Sequence, residues 1–373
     1  MARNRIIYQS EGIYVSKEYN STGSGDHAQL ARVQSANYNF NIARQDVNQY
    51  GELARIDSIV LETPTVSFDA SYYLTDGRNE SALGFYVSTG SQAANQFPSG
   101  HIQDGTGRNF YIVTSNEGTD FNKFTGSNIL SGMGGIGIGN AYLTDYSLEL
   151  AVGSIPTVNV SFEGINMNAF TFSGNNSGRN VGVDPISGTS LGTNIRLKNP
   201  TPNTGALDSI VSALRPGDVT IDFGTFGTGG MISLLSGSDG IHIQSASMSL
   251  PLGRTPIERL GSKFAFARVV DFPVTATLTV NGVQTETAGG NLVDLVNANP
   301  KNDIIITIKR PGTNVDAVRY TFRNAQLDSS SVSSSIGSNK TADLTFSTQI
   351  GGVNDSTNGI QMSGSFTGLG SPF

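Results

Sequence analysis

Apolar and polar residues alternate with a period of two along segment after segment of this chain, the spacing of half-buried β-strands. In "VQSANYNFNIARQDVNQYG", Val33–Gly51, residues Tyr38, Phe40 and Ile42 fall on one face and Asn37, Asn39 and Asn41 on the other. In "TVSFDAS", Val66 and Phe68 oppose Thr65, Ser67 and Asp69; in "TVNVSFE", Val158, Val160 and Phe162 oppose Asn159, Ser161 and Glu163. Further on, "IQSASMSLPLGRTPIERLG" puts Ser247 and Ser249 on the polar side, "PVTATLTV" adds Thr277 and Thr279, and "TADLTFS" adds Asp343, Thr345 and Ser347. Helical spacing is confined to short stretches. Leu207, Ile210, Val211 and Leu214 precede the stop at Pro216, a second stretch is "NLVDLVN" (Asn291–Asn297), and its first-half counterpart lies near "NESALGF". The pattern predicts a mainly β protein with one or two short helices per domain.

The strands recur in order. Gln34-Ser35-Ala36, Arg44 and Gly51 return as Gln244-Ser245-Ala246, Arg254 and Gly261 at an offset of 210. Pro64 and Pro273 follow at 209, and the turn dipeptides Asp76-Gly77 and Asn281-Gly282 at 205. "NFYIVTSNEGTD" then meets "DIIITIKRPGTN" at 194, "NAYL" meets "NAQL" at 184, and "GINM" parallels "GIQM" at 195. So many landmarks in one order identify a duplicated domain. The domains are expected over 1–200 and 201–373, with a linker at Leu197–Gly205, "LKNPTPNTG". Between offsets 205 and 184 the first copy carries 21 extra residues, expected in a glycine-rich insertion over about 85–139.

Composition narrows the function. Cysteine is absent, which excludes disulfides and thiolate chemistry and suits assembly in a reducing cytoplasm. The N-terminus "MARNRIIYQSEG" lacks the apolar core of a signal peptide, and no apolar run approaches the ~20 residues of a membrane span. A soluble, unexported chain without membrane insertion is expected. Net charge is −7 with no basic tract, which disfavours tight nucleic-acid binding. The polar strand faces hold Asn, Ser, Thr and a few acids but no Lys or Arg, although exposed sheet faces often carry Lys as a guard against edge pairing. Two readings stay open: low-charge composition alone, or a channel wall along which a polyanion slides without sticking.

No catalytic constellation emerges. His27, His101 and His242 lie far apart in loop or strand-edge contexts, without a metal-ligand motif. "GMGGIGIGNA", Gly132–Ala141, formally contains G-x-G-x-x-G but lacks the βαβ setting, so a flexible loop is expected. "TDGRNE" and "GSDG" are too short for calcium loops. Asp69 and Glu163 form at most a formal carboxylate pair. A non-enzyme without cofactor or metal is expected. Arg44 and Arg254 are the charged residues shared by both copies of the opening segment, placed to pair with a neighbour from a loop that leaves the sandwich or simply to sit on a surface hairpin.

The segments "SANYNFNIARQDVNQYGELARIDSIVLETPTVSFDASYYL" and "SASMSLPLGRTPIERLGSKFAFARVVDFPVTATLTV" each resemble the start of a tail tube domain from long-tailed bacteriophages. The resemblance covers most of the chain. It implies two tandem β-sandwich or partial-barrel domains, each flanked by a helix, and a structural virion protein of the tail, assembled in the host cytoplasm. Duplicated members of that family close a pseudo-hexameric ring from three copies, and the rings stack into a hollow tube for DNA ejection. The implied partners are further copies, other tail proteins (tape measure, terminator, baseplate or tip) and DNA that passes without specific binding. Asn37, Asn39, Asn41, Ser67, Asp69, Ser161, Glu163, Ser247, Ser249, Thr277, Asp343 and Thr345 would line the lumen. Arg44, Asp46, Gly51 and Arg55, with Arg254, Glu258, Arg259 and Gly261, would belong to inter-subunit arms, Arg44–Arg55 and Arg254–Phe264. The second repeat runs nearly to Phe373, so the immunoglobulin-like domain appended in some relatives is expected to be missing. A baseplate component or carbohydrate-binding adhesin remains the alternative; adhesins usually show exposed Trp, which is absent here.

Overall fold

The computed structural model describes residues 6–7, 10–17, 27–61, 63–89, 95–103, 107–116, 118–123, 128–191, 194–200, 213–224, 241–284 and 301–366. Its first half carries β1 (Glu11–Lys17), β2 (His27–Gln29), β3 (Val33–Asn41), β4 (Arg44–Val47), β5 (Asp57–Val60), β6 (Thr65–Tyr73), α1 (Arg78–Leu83), α2 (Ser99–Gln103), β7 (Arg108–Thr114), β8 (Gly134–Ala151), β9 (Thr157–Gly164), β10 (Asn166–Thr171), β11 (Ser177–Arg179) and β12 (Asn194–Arg196). Its second half carries β13 (Val219–Asp222), β14 (Ile241–Pro251), β15 (Arg254–Ile257), β16 (Ala267–Val270), β17 (Thr275–Gln284), β18 (Asn302–Lys309), β19 (Asp316–Ser333), β20 (Thr341–Gln349) and β21 (Gly359–Gly364). The protein is mainly β.

Strand pairing repeats residue for residue. The ladder β3–β6–β9–β8 of the first half returns as β14–β17–β20–β19 in the second. Tyr38 faces Phe68 and Phe68 faces Phe162, just as Met248 faces Leu278 and Leu278 faces Phe346. Irregularities recur too, at Val33/Ser35 and Ile243/Ser245, at Leu143/Asp145 and Leu327/Ser329, and at Arg108/Phe110 and Asn302/Ile304. A bulge re-aims a strand and fixes its register, so its recurrence marks a shared architecture rather than shared composition.

The long strands β8 and β19 each serve two sheets. The first stretch of β8 pairs with β7 and β10, and the second with β9; β19 divides in the same way among β18, β21 and β20. The bend falls at Asn140 (φ 52°) and Asn324 (φ 54°), left-handed positions that asparagine tolerates. The Asn140 N–H donates to Asn109 Oδ1 at 2.9 Å, and the Asn324 N–H to Asp303 Oδ1 at 3.0 Å. Within the first repeat the two layers enclose Phe68, Phe110 and Phe162, whose ring centroids lie 4.4 Å (Phe68–Phe110) and 4.8 Å (Phe110–Phe162) apart. Asn140 is also clamped to Val183 through its side chain, at 3.0 and 2.8 Å. Asn140→Ala is therefore expected to cost about 2–4 kcal/mol in chemical denaturation, through positive φ and stranded buried partners.

The two repeats are welded into one sheet. β8 pairs with β14, setting Ser147 opposite Ser249, Leu148 opposite Met248 and Tyr146 opposite Leu250. Eight strands, β3–β6–β9–β8–β14–β17–β20–β19, thus run without a break. The connection after β6 reinforces the weld. Phe97 N–H donates to Ile360 O (2.7 Å), Ser88 N–H to Met362 O (3.0 Å), and Gly364 N–H back to Ser88 O (2.8 Å). Gln96 donates its amide to the carbonyls of Asp355 and Asn358.

Several sequence expectations change. Asn281-Gly282 is no turn: both residues lie inside β17, because the β17–β20 ladder holds them extended. The β6 and β17 registers correspond at 210, so the Pro64/Pro273 match is one residue out of step. β10 and β21 correspond at 193, which displaces "GINM" from "GIQM" by two residues. The offset drops from 210 to 194 between β6 and β7, and to 184 between β7 and β8; the first repeat's extra residues fall in those two connections. They do not include the stretch from Gly134. "GMGGIGIGNA" is not a flexible loop but largely the start of β8. Its glycines admit what packs on them: a Cβ at Gly137 would lie 2.3 Å from a Val181 methyl, and one at Gly139 2.0 Å from the Val181 carbonyl oxygen. α1 matches the helix expected near "NESALGF". The helix of Asn291–Asn297, most of that before Pro216, and the part of the linker beyond 200 lie outside the described residues.

Candidate assembly surfaces

All twelve residues expected to line a lumen share one face of the eight-stranded sheet. One polar row crosses it from Ser35 through Ser71, Asn159, Ser147, Ser249, Thr277 and Ser347 to Gln326. Asn37, Asp69 and Ser161 form a neighbouring row, as do Asn39, Ser67 and Glu163. Ser247, Thr279 and Thr345 make another, and Asn281 and Asp343 the next. Asn41 closes the face at the end of β3 opposite Thr65. No Lys or Arg occurs in β3, β6, β9, β8, β14, β17 or β20, nor in the second stretch of β19 from Gln326 to Ser333; Arg319 and Arg323 lie in its first stretch, paired with β18 and β21. Two of the acids are held by neutral donors, Asp69 by the Ser161 hydroxyl at 2.7 Å and Asp343 by the Asn281 amide at 2.5 Å. Burial pushes the Asp145 carboxyl up.

Glu163 departs from that pattern. It pairs with Arg268 of β16, so it belongs as much to the arm joint as to the open face. That tie also separates it chemically from Asp69.

The arms are β-hairpins. β4 pairs with β5 and β15 with β16, in the same register, and both tips turn through a glycine in the left-handed region, Gly51 (φ 92°) and Gly261 (φ 85°). They extend further than the segments expected from sequence, to Val60 and Val270. Asp46 and Arg55 bridge the first hairpin at 2.8 Å; at such exposure this stiffens the arm more than it stabilises the fold. Arg259 lies over the Phe266 ring, and Glu258 is exposed beside it.

The two hairpins differ in what they touch. The second lies on the first repeat. Arg254 donates to His101 O (2.8 Å), Arg268 O (3.1 Å) and Leu143 O (3.4 Å), and its guanidinium sits 5.3 Å over Tyr142. Burial draws that guanidinium down to about 10, so it stays charged at neutral pH. Ser262 donates its hydroxyl to Pro185 O, and the Phe264 N–H does the same at 3.1 Å. Arg44, the repeat equivalent of Arg254, is exposed. Tyr50 and Leu53 near the first tip are fully exposed. Sequence reasoning missed Arg268, Tyr142 and Glu163 as an arm seat because their repeat equivalents, Ser58, Gln326 and Ser347, do not resemble them.

Comparison with known proteins adds one partial likeness. No family model matches the sequence, and no curated protein matches it. Among solved structures, a chain from the "Cryo-EM structure of the anti-feeding prophage (AFP) baseplate, 6-fold symmetrised" is similar at 12% identity and a TM-score of 0.23, covering 34% of this chain and 81% of that one.

The strand edges carry the sharper information. Among the described residues, no strand pairs with the outer edge of β3 or with that of the second stretch of β19. Phe40 on β3 is 59% exposed, whereas its equivalent Leu250, covered by β8, is 0% exposed. Val332 on β19 is 44% exposed, and its equivalent Leu148, covered by β14, only 1%. The apolar face expected for β3 is thus only partly buried at this edge.

Among the described residues, no group of three or more His, Cys, Asp or Glu is arranged to hold a metal ion. His27 and His101 are buried rather than in open loops, and burial lowers the His101 pKa.

Proposed function

We propose that this chain is a structural virion protein of a bacteriophage tail, without catalytic activity, whose copies close into rings that stack as a tail tube. Three copies would supply the six tube-domain positions of one ring. The carrying observation is the mismatch between equivalent seams: Leu148 and Leu250 are buried where one repeat meets the next within the chain, while Val332 and Phe40 are exposed on the two end strands of the eight-stranded sheet. An open sheet with apolar free edges is an aggregation liability, and closure into a ring removes it. Ring faces then remain for head-to-tail stacking into a filament. The sheet face, to which these strands contribute no Lys or Arg and where the arm arginines Arg254 and Arg268 are tied to Tyr142 and Glu163 at one joint, fits a lumen through which DNA slides, since each absent Lys or Arg removes a phosphate anchor. Other tail proteins would cap or fill such a tube, and assembly would take place in the host cytoplasm.

Negative-stain imaging of the purified chain at high concentration and moderate salt tests this. Rings or hollow tubes are expected. Isolated monomers throughout would overturn the reading. Specific binding on a glycan array would instead favour a carbohydrate-binding adhesin, and assembly into a closed disc that never stacks would favour another tail or baseplate component.

A further inference from the structure

Two cavities occupy equivalent places at the two ends of the repeat. At the seam within the chain, Leu150, Val152 and Pro156 of the first repeat close over Val219, Ile221 and Ile243 of the second, leaving about 80 Å³. The Val152 N–H donates to Gln244 O at 2.9 Å and extends the β8–β14 ladder past Ala151. Beside β3 the same floor recurs in Glu11, Ile13, Val33, Gln34 and Ala36, but among the described residues no strand covers it as β8 covers β14, and the space is about 240 Å³. The residue equivalent to Val152 is Ile336, at the β19–β20 turn and 107% exposed.

We infer that Ile336 of one copy seats in the groove beside β3 of the next, with the second stretch of β19 pairing antiparallel to β3 in one fixed register. Carrying the β8–β14 register over by the repeat offsets sets Ser331 opposite Asn39, Val332 opposite Tyr38 and Ser333 opposite Asn37. The Ile336 N–H then meets Gln34 O of the neighbour. Gln34 and Gln244 already share a conformation, each donating its amide two residues back, to Arg32 O (3.0 Å) and His242 O (3.3 Å). The occupant is a second copy because the groove's covered twin is covered by this chain's own preceding repeat. The inference rests on the ring reading and sharpens it to a register and a contact.

The absence of cysteine makes the test clean. Ser147 and Ser249 sit one position off the bonded pair Val152–Gln244 in parity, so their equivalents face each other as a non-hydrogen-bonded pair, close enough for a disulfide. Assembled N39C/S331C is expected to oxidise into covalent multimers on a non-reducing gel, with each single variant remaining one chain. S35C/S331C, four residues and about 13 Å out of register, is expected not to cross-link. Ile336→Asp, on a fully exposed side chain, is expected to leave the thermal midpoint unchanged and to raise the concentration needed for assembly about tenfold or more. Rings that form while N39C/S331C stays uncross-linked would overturn the register and leave the ring reading standing. Unaltered assembly of Ile336→Asp would overturn the groove contact. No rings from the unmodified chain would overturn both inference and reading.

Discussion

Arg254→Ala is expected to destabilise the chain by about 2–4 kcal/mol in urea denaturation, while Arg44→Ala changes it by less than about 0.5 kcal/mol. The two arginines occupy the same place in the two repeats, so intrinsic hairpin propensity does not separate them. Their surroundings do. Arg254 satisfies three carbonyl oxygens, those of His101, Arg268 and Leu143, and stacks on Tyr142. Alanine would strand those acceptors in a partly buried joint, beside the Arg268–Glu163 pair. Among the described residues Arg44 has no such seat, so its loss is expected to be felt where a neighbour supplies one, and the same variant is expected to weaken assembly. Equal destabilisation by both variants would contradict the account of the second hairpin as a latch between repeats.

Glu80→Gln is expected to stabilise the chain by about 3 kcal/mol at pH 8 and by much less near pH 4.5. Glu80 is fully buried on α1, accepting a hydrogen bond from the Tyr72 hydroxyl at 3.0 Å. Burial, above all, raises its pKa from 4.5 to about 7, with Asp76 adding repulsion. A carboxyl whose folded pKa is raised favours the folded state protonated. Below 4.5 both states hold the proton and no penalty arises; between 4.5 and 7 the unfolded state ionises first, and stability falls as pH rises. Above 7 the penalty is constant. Glutamine keeps the acceptor for Tyr72 and removes the ionisation, so its advantage should grow through that window. The site matters to the weld between repeats because the adjacent Tyr146 and Tyr320, one from each repeat, share a hydrogen bond at 2.8 Å. A pH-independent effect of the substitution would refute this cause.

Much of the fold was legible because strand period and duplication reinforce each other. The alternation that put Asn37, Asp69, Ser161, Ser247 and Thr345 on polar faces also put them on one face of one sheet, since a ladder in register preserves parity from strand to strand. The matched "NAYL" and "NAQL" landmarks fall at equivalent places, each opening with the asparagine at which its long strand bends. What composition hid was context. Asn281-Gly282 reads as a turn locally, yet the neighbouring strand holds it extended. The glycines of "GMGGIGIGNA" read as flexibility, yet Phe172 and Val181 pack where their side chains would be. The seam itself was illegible for a different reason. Nothing in Leu148 or Leu250 says whether the strand that covers them comes from the same chain, and Phe40 and Val332 carry the same apolar signal without a cover.

The central claim is that one chain supplies two consecutive positions of a ring whose remaining seams repeat the one between β8 and β14. Electron cryomicroscopy of the assembled rings tests it most directly. Three chains per ring are expected, with β19 of each copy antiparallel to β3 of the next and the polar face of the eight-stranded sheet turned toward the lumen. Six chains per ring, or rings joined through any other pair of strands, would contradict it.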